Sequence, residues 1–381
     1  MEEEIRIAHI VGARPQFIKY FALSKAMESF NKREKHAISD ILIHTGQHYD
    51  YNMSDIFFDQ FGIKKPDYHL GVGSGTHGVQ TGQILERVEA ILSRLSPHVV
   101  VVYGDTNSTL GGALASAKLH IPVAHIEAGL RSYNRSMPEE MNRVLTDHLS
   151  NFLFCPSENA VRNLKVEGFT GVCNAGRLLH PEHKEPLPGN STPKVINVGD
   201  VMYDVLLYAL ELVERESTAL RRLNIRKRNY YLLTLHRAES TDNLHRLEEI
   251  VGFVNDVSAG KTVIFPMHPR TKTAYEKSSI KFKKSIQLIE PMGYFDILAL
   301  LKNCLLVMTD SGGMQKEAFW LKIPCITLRD ETEWIETVHS GWNVLYKNFS
   351  YAHTHRKMTN CYGDGKAASR IVGSLFRWLL H

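Results

Sequence analysis

The chain has 381 residues, 43% hydrophobic and 23% charged, which suits a soluble globular protein of two domains, each able to bury its own core. Its 45 basic and 41 acidic residues are intermixed, for a formal net charge of +4, so no basic run tracks nucleic acid and a small anion is the natural partner. No stretch approaches the roughly 18 consecutive apolar residues of a membrane span, and the acidic start MEEEIRIAHIVG is unlike a signal peptide, so the expectation is a cytoplasmic protein with no membrane partner.

Ile5–Val11 reads as a strand, after which Gly12-Ala-Arg14-Pro15 turns into a helix with an apolar stripe at Phe17, Ile18, Phe21, Ala22 and Leu23. Arg14 and Lys19 flank that helix N-terminus, where free N–H groups favour an anion, and together they suggest a phosphate clamp. Asp40–Thr45 is a second strand, ending in the polar turn Gly46-Gln47-His48-Tyr49-Asp50. His44 and His48 are four apart, but Thr-Gly between them breaks a helix, so they make a poor zinc pair. GVGSGTHG (71–78) lacks dinucleotide spacing and reads as a loop before a long amphipathic helix over 79–95.

Residues 98–143 form the centre of the pattern. The β-branched run His98-Val-Val-Val-Val-Tyr103 is a buried parallel strand that delivers Asp105 to a strand-to-helix turn. A strand over 121–126 delivers Glu127, and the turn Met137-Pro-Glu139-Glu140 opens another helix. Alone, Asp105 or Glu139 is an ordinary helix N-terminal carboxylate. Glu127 has no capping role and needs a polar partner such as Arg131. Three carboxylates at strand ends, where open α/β sheets bind ligands, point to chemistry.

Helix, strand and helix continue over 138–150, 151–155 and 160–167, and the pattern lapses between Val172 and Val195, which reads as a linker or surface excursion. The second half alternates strands at 230–235, 262–266, 286–289, 305–309 and 324–328 with helices near 202–216, 242–258, 294–302, 313–321 and 333–340, which means a second parallel sheet. Its strand ends carry His236-Arg237 and His268-Pro-Arg270, two His/Arg pairs suited to an anion and acid–base site. Another ends in Asp310-Ser311-Gly312-Gly313, where glycines let a phosphate approach a helix N-terminus, and Glu317 within that helix can accept hydrogen bonds from ribose hydroxyls. The five cysteines (155, 173, 304, 325 and 361) include no CxxC pair and read as small hydrophobes of a reducing compartment. The domains expected are 1–172 and 195–361, joined by 173–194, with a helix over 362–381 crossing back to the first.

Taken together, GARPQFIK, TGQHYD, VVYGDTNSTL, HIEAGLRS, MPEEMNR, NVGDVMYD, TLHRAES, MHPRT, TDSGGMQKEA, LRDETEW and YGDGKAASR resemble the non-hydrolysing UDP-N-acetylglucosamine 2-epimerases over nearly the whole chain. The resemblance implies an α/β fold of two Rossmann-like domains with parallel sheets facing across a cleft, of glycosyltransferase-B type, and a homodimer. It implies Asp105, Glu127 and Glu139 as catalytic carboxylates and His236 as the active-site histidine. Arg14 and Lys19 match the family's basic pair, Ser311, Gly312 and Gly313 its diphosphate loop, Glu317 its ribose acid, and His268 and Arg270 its nucleotide-proximal strand end.

The implied substrate is a UDP-sugar, UDP-GlcNAc interconverting with UDP-ManNAc, with no cofactor and no metal. GARPQF in place of GTRPEA, and RDETEW in place of RDTTERPE, are similar to relatives acting on UDP-2,3-diacetamido-2,3-dideoxy-glucuronate, the alternative substrate. The segment between Asn343 and Tyr362 looks too short for the helix the family usually has there. The rival reactions on this fold are glycosyl transfer and a hydrolysing 2-epimerisation.

Overall fold

The computed structural model describes residues 4–34, 38–47, 61–180, 192–258, 260–350 and 356–380. The chain divides into two compact units, one of residues 1–205 and 360–381 and the other of residues 206–359.

The first unit holds a seven-stranded parallel sheet of β1 (Ile5–Val11), β2 (Ile38–His44), β3 (Tyr68–His69), β4 (Val99–Tyr103), β5 (Val123–Ile126), β6 (Phe152–Cys155) and β7 (Lys194–Asn197), in the order β3-β2-β1-β4-β5-β6-β7. The order reverses at β1, between β2 and β4, and such a switch point opens a crevice beyond the strand ends. Every residue of β4 is buried, as an all-apolar strand covered on both faces requires. Ala8, Ile10, Val100 and Val102 pack against Ile84, Val88 and Leu92 of the helix His77–Leu95.

The strand β7 pairs in parallel with β6, so residues expected to open the second domain at 195 instead form the edge of the first sheet. The change of unit comes after Val205, within the helix Val201–Glu216. The stretch 173–194 therefore precedes that change: Cys173–Gly176 is a 3-10 turn, and residues 181–191 lie outside the described residues. Weak periodicity hid β7, because four residues, two of them Lys and Asn, show no alternation.

The helix Ala367–Leu379 packs on the first unit, with Phe376 against Phe30 (4.5 Å between ring centroids) and Trp378 edge-on to Phe152 (4.9 Å). Its N-terminus is capped from a distance: Asp204 accepts hydrogen bonds from the amides of Ala367 (3.0 Å) and Ala368 (2.8 Å).

The second unit repeats the design with six parallel strands, β8 (Tyr230–Thr234), β9 (Thr262–Pro266), β10 (Ile286–Ile289), β11 (Leu306–Thr309), β12 (Cys325–Thr327) and β13 (Asn343–Leu345). Their order is β10-β9-β8-β11-β12-β13, with the switch point between β8 and β11. Among the described residues no α-helix lies between 349 and 366, and none is long and apolar enough to cross a membrane.

Buried titrating groups set how the fold responds to acid. Burial pushes His9 down to about 4 against the pull of Asp40, and burial with the neighbouring His69 does the same to His44. A histidine whose folded pKa lies below its ordinary value contributes stability above about pH 6.5 that is lost as pH falls towards 4, roughly 3 kcal/mol apiece over the interval. Asp204 has the opposite sign. Burial, aided by Asp200 and opposed by the Ala368 and Ala367 amides, raises its carboxyl to about 7. It therefore takes its proton first in the folded state and adds stability as pH falls from about 7 towards 4. In Asp204→Asn this compensation is gone, so the urea midpoint should fall more steeply between pH 7 and 4.5 than in the wild type; parallel profiles would contradict the assignment.

Candidate functional site

At the carboxyl ends of the first sheet, Tyr103 of β4 sits opposite Ile126 of β5 in register, so Asp105 and Glu127 leave the sheet from neighbouring strands. Glu127 adopts a left-handed conformation (φ 75°), a state that costs a non-glycine residue about 1–3 kcal/mol unless its surroundings hold it. The hold is visible: the Glu127 and Ala128 amides both donate to the Phe154 carbonyl at 3.1 Å, and Lys19 Nζ lies 2.8 Å from Glu127 Oε1.

This corrects one expectation from sequence. Arg131 is not the partner of Glu127; it grips Asp147 (2.8 Å) and Glu167 (2.6 Å). Left-handed residues at Glu127 and Gly129 lie between the two side chains, which go to different partners. Lys19 is buried and pairs with Glu127, whereas Arg14, first residue of the helix Arg14–Arg33, is exposed.

Asp105 is reached from the helix Pro138–Leu149. Asn142 Nδ2 donates to the Asp105 carbonyl (3.0 Å), and Arg143 forms an ion pair with the Asp105 carboxylate. Glu139 lies three and four residues before Asn142 and Arg143, hence on the same helix face, and it is exposed. Its neighbour Glu140 is buried and accepts from the Ser132 amide and hydroxyl (both 2.9 Å), the Tyr133 amide (2.9 Å) and Arg143 (2.7 Å). Burial opposes charge on Glu140, but these bonds outweigh it and hold the carboxyl below the usual range. Of the two adjacent glutamates, Glu140 fastens the turn and Glu139 is presented to solvent.

Gln16 is a positioning residue that sequence reasoning missed. Its Oε1 accepts from the Gly12 (2.7 Å) and Ala13 (2.9 Å) amides, and its Nε2 donates to the Tyr103 carbonyl (2.7 Å) and the Thr109 hydroxyl (2.9 Å). It thereby ties the turn after β1 to the turn after β4. The signal was its place three residues into a helix whose N-cap, Ala13, has no side-chain acceptor. Gln47 completes the seam by accepting from Ser108 N (3.0 Å) and Oγ (2.6 Å), while His48 lies outside the described residues.

At the corresponding ends of the second sheet, Asp310 follows β11 and is fully buried. It accepts from the amides of His236 (2.9 Å) and Arg237 (2.8 Å), and its Oδ1 is 3.2 Å from His236 Nδ1. Burial resists ionisation there, but His236 and these amides hold the carboxyl below its usual range. Asp310 thus orients His236, whose side chain is 41% exposed. The His268 ring lies 5.8 Å from His236, caps the helix Pro269–Glu276 by accepting from the Arg270 amide (3.2 Å), and like Arg270 is exposed.

Ser311 caps the helix Gly312–Trp320. A Cβ on Gly312 would come within 2.9 Å of Glu333 Oε1 and 3.0 Å of Trp334 Nε1, whereas one on Gly313 would meet nothing within 4 Å. Gly312 is thus required by close approach, and the open side of Gly313 leaves the helix N-terminus accessible to an anion. Glu317 is buried and accepts from the Tyr294 hydroxyl (2.9 Å). Arg329 (2.9 Å) and Arg237 (3.8 Å) flank Glu333, whose carboxyl they hold below the usual range against the effect of burial.

Two Rossmann-like parallel sheets, one ending in clustered carboxylates and the other in a glycine-bearing helix N-terminus beside an oriented histidine, define a nucleotide-sugar enzyme of glycosyltransferase-B type. The sequence profile of the UDP-N-acetylglucosamine 2-epimerases matches residues 31–376, and the chain belongs to that family. It is 46% identical to a UDP-N-acetylglucosamine 2-epimerase homolog of Methanococcus maripaludis, over 97% of this chain and 98% of the relative. It is 45% identical to the UDP-2,3-diacetamido-2,3-dideoxy-D-glucuronate 2-epimerase of Pseudomonas aeruginosa, with the same coverage. The crystal structure of Methanocaldococcus jannaschii UDP-GlcNAc 2-epimerase in complex with UDP-GlcNAc and UDP superposes with a TM-score of 0.82 at 41% identity, covering 98% of this chain and 99% of that one.

The Lys19–Glu127 pair is open to direct test, because removing one partner of a buried ion pair leaves a charge uncompensated. Lys19→Met should cost about 3 kcal/mol in urea unfolding at pH 7, and adding Glu127→Gln should restore part of it. A single variant as stable as the wild type would contradict the pairing.

Proposed function

We propose that the protein inverts C2 of a UDP-linked N-acetyl sugar without net hydrolysis, interconverting UDP-GlcNAc and UDP-ManNAc. The observation that carries the reading is the gathering of Asp105, Glu127 and Glu139 around the ends of β4 and β5 in a chain of this family. The C2 hydrogen of such a sugar is not next to a carbonyl, so direct deprotonation is unfavourable. Elimination avoids the difficulty: a base takes the C2 proton while the C1–O bond to UDP breaks, leaving 2-acetamidoglucal. The alkene then takes a proton at C2 on the opposite face while a diphosphate oxygen re-forms the bond at C1.

Two proton-transfer groups on opposite faces are needed, and clustered carboxylates provide them because like charges close together split their pKa values. Each such group contributes a factor of about 10²–10⁴. In this reading UDP is held by the second unit, its diphosphate at Ser311–Gly313 and its ribose at Glu317, with His236, His268 and Arg270 alongside. His236 and the helix N-terminus stabilise the departing diphosphate. The reaction calls on no cofactor and no metal.

A second substrate, UDP-2,3-diacetamido-2,3-dideoxy-glucuronate, is favoured by the 45% identity to the Pseudomonas aeruginosa enzyme. The same C2 chemistry serves both, and offering the two substrates in parallel ranks them by kcat/KM. The family resemblance also supports a cytoplasmic homodimer working in polysaccharide biosynthesis.

Asp105→Asn and Glu139→Gln should each lower turnover at least about a hundredfold with little change in UDP affinity; near-normal turnover in both would refute the carboxylate assignment. Gly312→Ala, which drives a methyl group against Glu333 and Trp334, should weaken UDP binding at least about tenfold by calorimetry. Unchanged affinity would remove the diphosphate from that loop.

A further inference from the structure

Behind the first unit's carboxylates runs a chain of charged side chains that the proposed chemistry does not use. His125, next to last in β5, is fully buried, with Nδ1 2.7 Å from Asp147 Oδ1 and Nε2 2.8 Å from the Gly104 carbonyl oxygen. Asp147, also fully buried, accepts from the Gly129 amide (3.1 Å) and meets Arg131 Nη1 at 2.8 Å. Arg131 in turn forms a two-pronged bridge to Glu167, 2.6 Å on each side.

The hydrogen-bond inventory fixes the state of the ring. A carbonyl oxygen can only accept, and an ionised carboxylate can only accept. Burial opposes charge on Asp147, but His125 and Arg131 outweigh it and hold the carboxyl below its usual range. The Gly104 carbonyl can only accept, so the proton of that contact is on Nε2, and Nδ1 faces Asp147. Asp147 thus lies between His125 and Arg131, and Arg131 between Asp147 and the exposed Glu167.

The consequence lies at Gly104. Its carbonyl belongs to the same peptide unit as the amide of Asp105, so whatever fixes that oxygen fixes the plane from which the Asp105 side chain departs. Gly104 is left-handed (φ 63°), and its own amide donates to the Ile126 carbonyl (3.0 Å). The turn carrying Asp105 is thus fastened to β5 at two consecutive points, by the Ile126 carbonyl and by the His125 ring.

We propose that His125 is a positioning residue for the C2 proton transfer: its Nε2–H clamps the Gly104–Asp105 peptide and aims the Asp105 carboxylate, while Asp147, braced by Arg131 and Glu167, holds the ring in place. The role rests on Asp105 as a proton-transfer group. It also explains why a histidine, with a nitrogen at each end of a rigid ring, stands there: Asn reaches only the Asp147 side, and Gln only the Gly104 side.

Two measurements test it on the full-length protein. In long-range ¹H–¹⁵N spectra of the wild type, with His125 assigned by its loss in His125→Gln, Nε2 should show a protonated shift at pH 7.5. An unprotonated Nε2 overturns the clamp, whatever the activity, so this readout stands even if the epimerase reading fails. In steady-state kinetics, His125→Asn should lose kcat by at least about 30-fold, while His125→Gln, which keeps a donor towards Gly104, stays within about fivefold. KM and UDP affinity should change less than about twofold in both. Equal losses in the two variants, or a loss confined to KM, would overturn the positioning role.

Discussion

Parallel pairing of β4 with β5, from Val100 opposite Val123 to Tyr103 opposite Ile126, is the constraint on which the active end of the first unit depends. Side chains alternate along a strand, so a slip of one residue would exchange the two covers against which the buried valines pack and part Asp105 from Glu127. The end of β4 is fastened on several sides. The Tyr103 carbonyl accepts from Gln16 and from the Thr109 hydroxyl (2.6 Å), and the Tyr103 ring is held at its hydroxyl by His9 Nδ1 (2.6 Å). These bonds build rigidity at the strand end from which Asp105 departs.

Charge in a low-dielectric interior governs what surrounds that strand end. Lys19 meets Glu127, Arg143 spans Asp105 and Glu140, and Arg131 spans Asp147 and Glu167. Each cation answers at least one carboxylate, so the cluster is ionised without a large net charge to desolvate. Glu139 differs, being exposed. Glu140, by contrast, is held by four hydrogen bonds to the Ser132–Tyr133 turn and Arg143. The second unit applies the same logic once, with Asp310 buried and ionised so that His236 is held in one orientation.

Much of this was legible in the sequence because it follows from periodicity and strand-end position. The all-apolar run ending at Tyr103 marked β4, the alternation of the second half marked a second parallel sheet, and the Asp-Ser-Gly-Gly turn marked an anion-facing helix start. Partner choice was not legible. That Glu127 takes Lys19, 108 residues away, and not Arg131 four residues on, depends on left-handed backbone at Glu127 and Gly129, which a non-glycine residue gives no reason to expect. The role of Asp310 was hidden for the same reason, its work being done on the distant His236 and Arg237 amides, and so was the reach of Gln16 to the Tyr103 carbonyl. The strand β7 escaped because a short edge strand needs no alternation, and the domain boundary was displaced with it.

The account stands or falls on whether C2 exchanges its proton through these carboxylates while UDP is released and recaptured. Incubating the enzyme with UDP-GlcNAc in heavy water and following C2 by NMR addresses this directly. The account predicts deuterium at C2 of both UDP-GlcNAc and UDP-ManNAc at equilibrium, with the C1–UDP linkage intact. Epimers that keep their original C2 hydrogen, or substrate that stays protonated and unconverted under conditions where UDP binds, would contradict it.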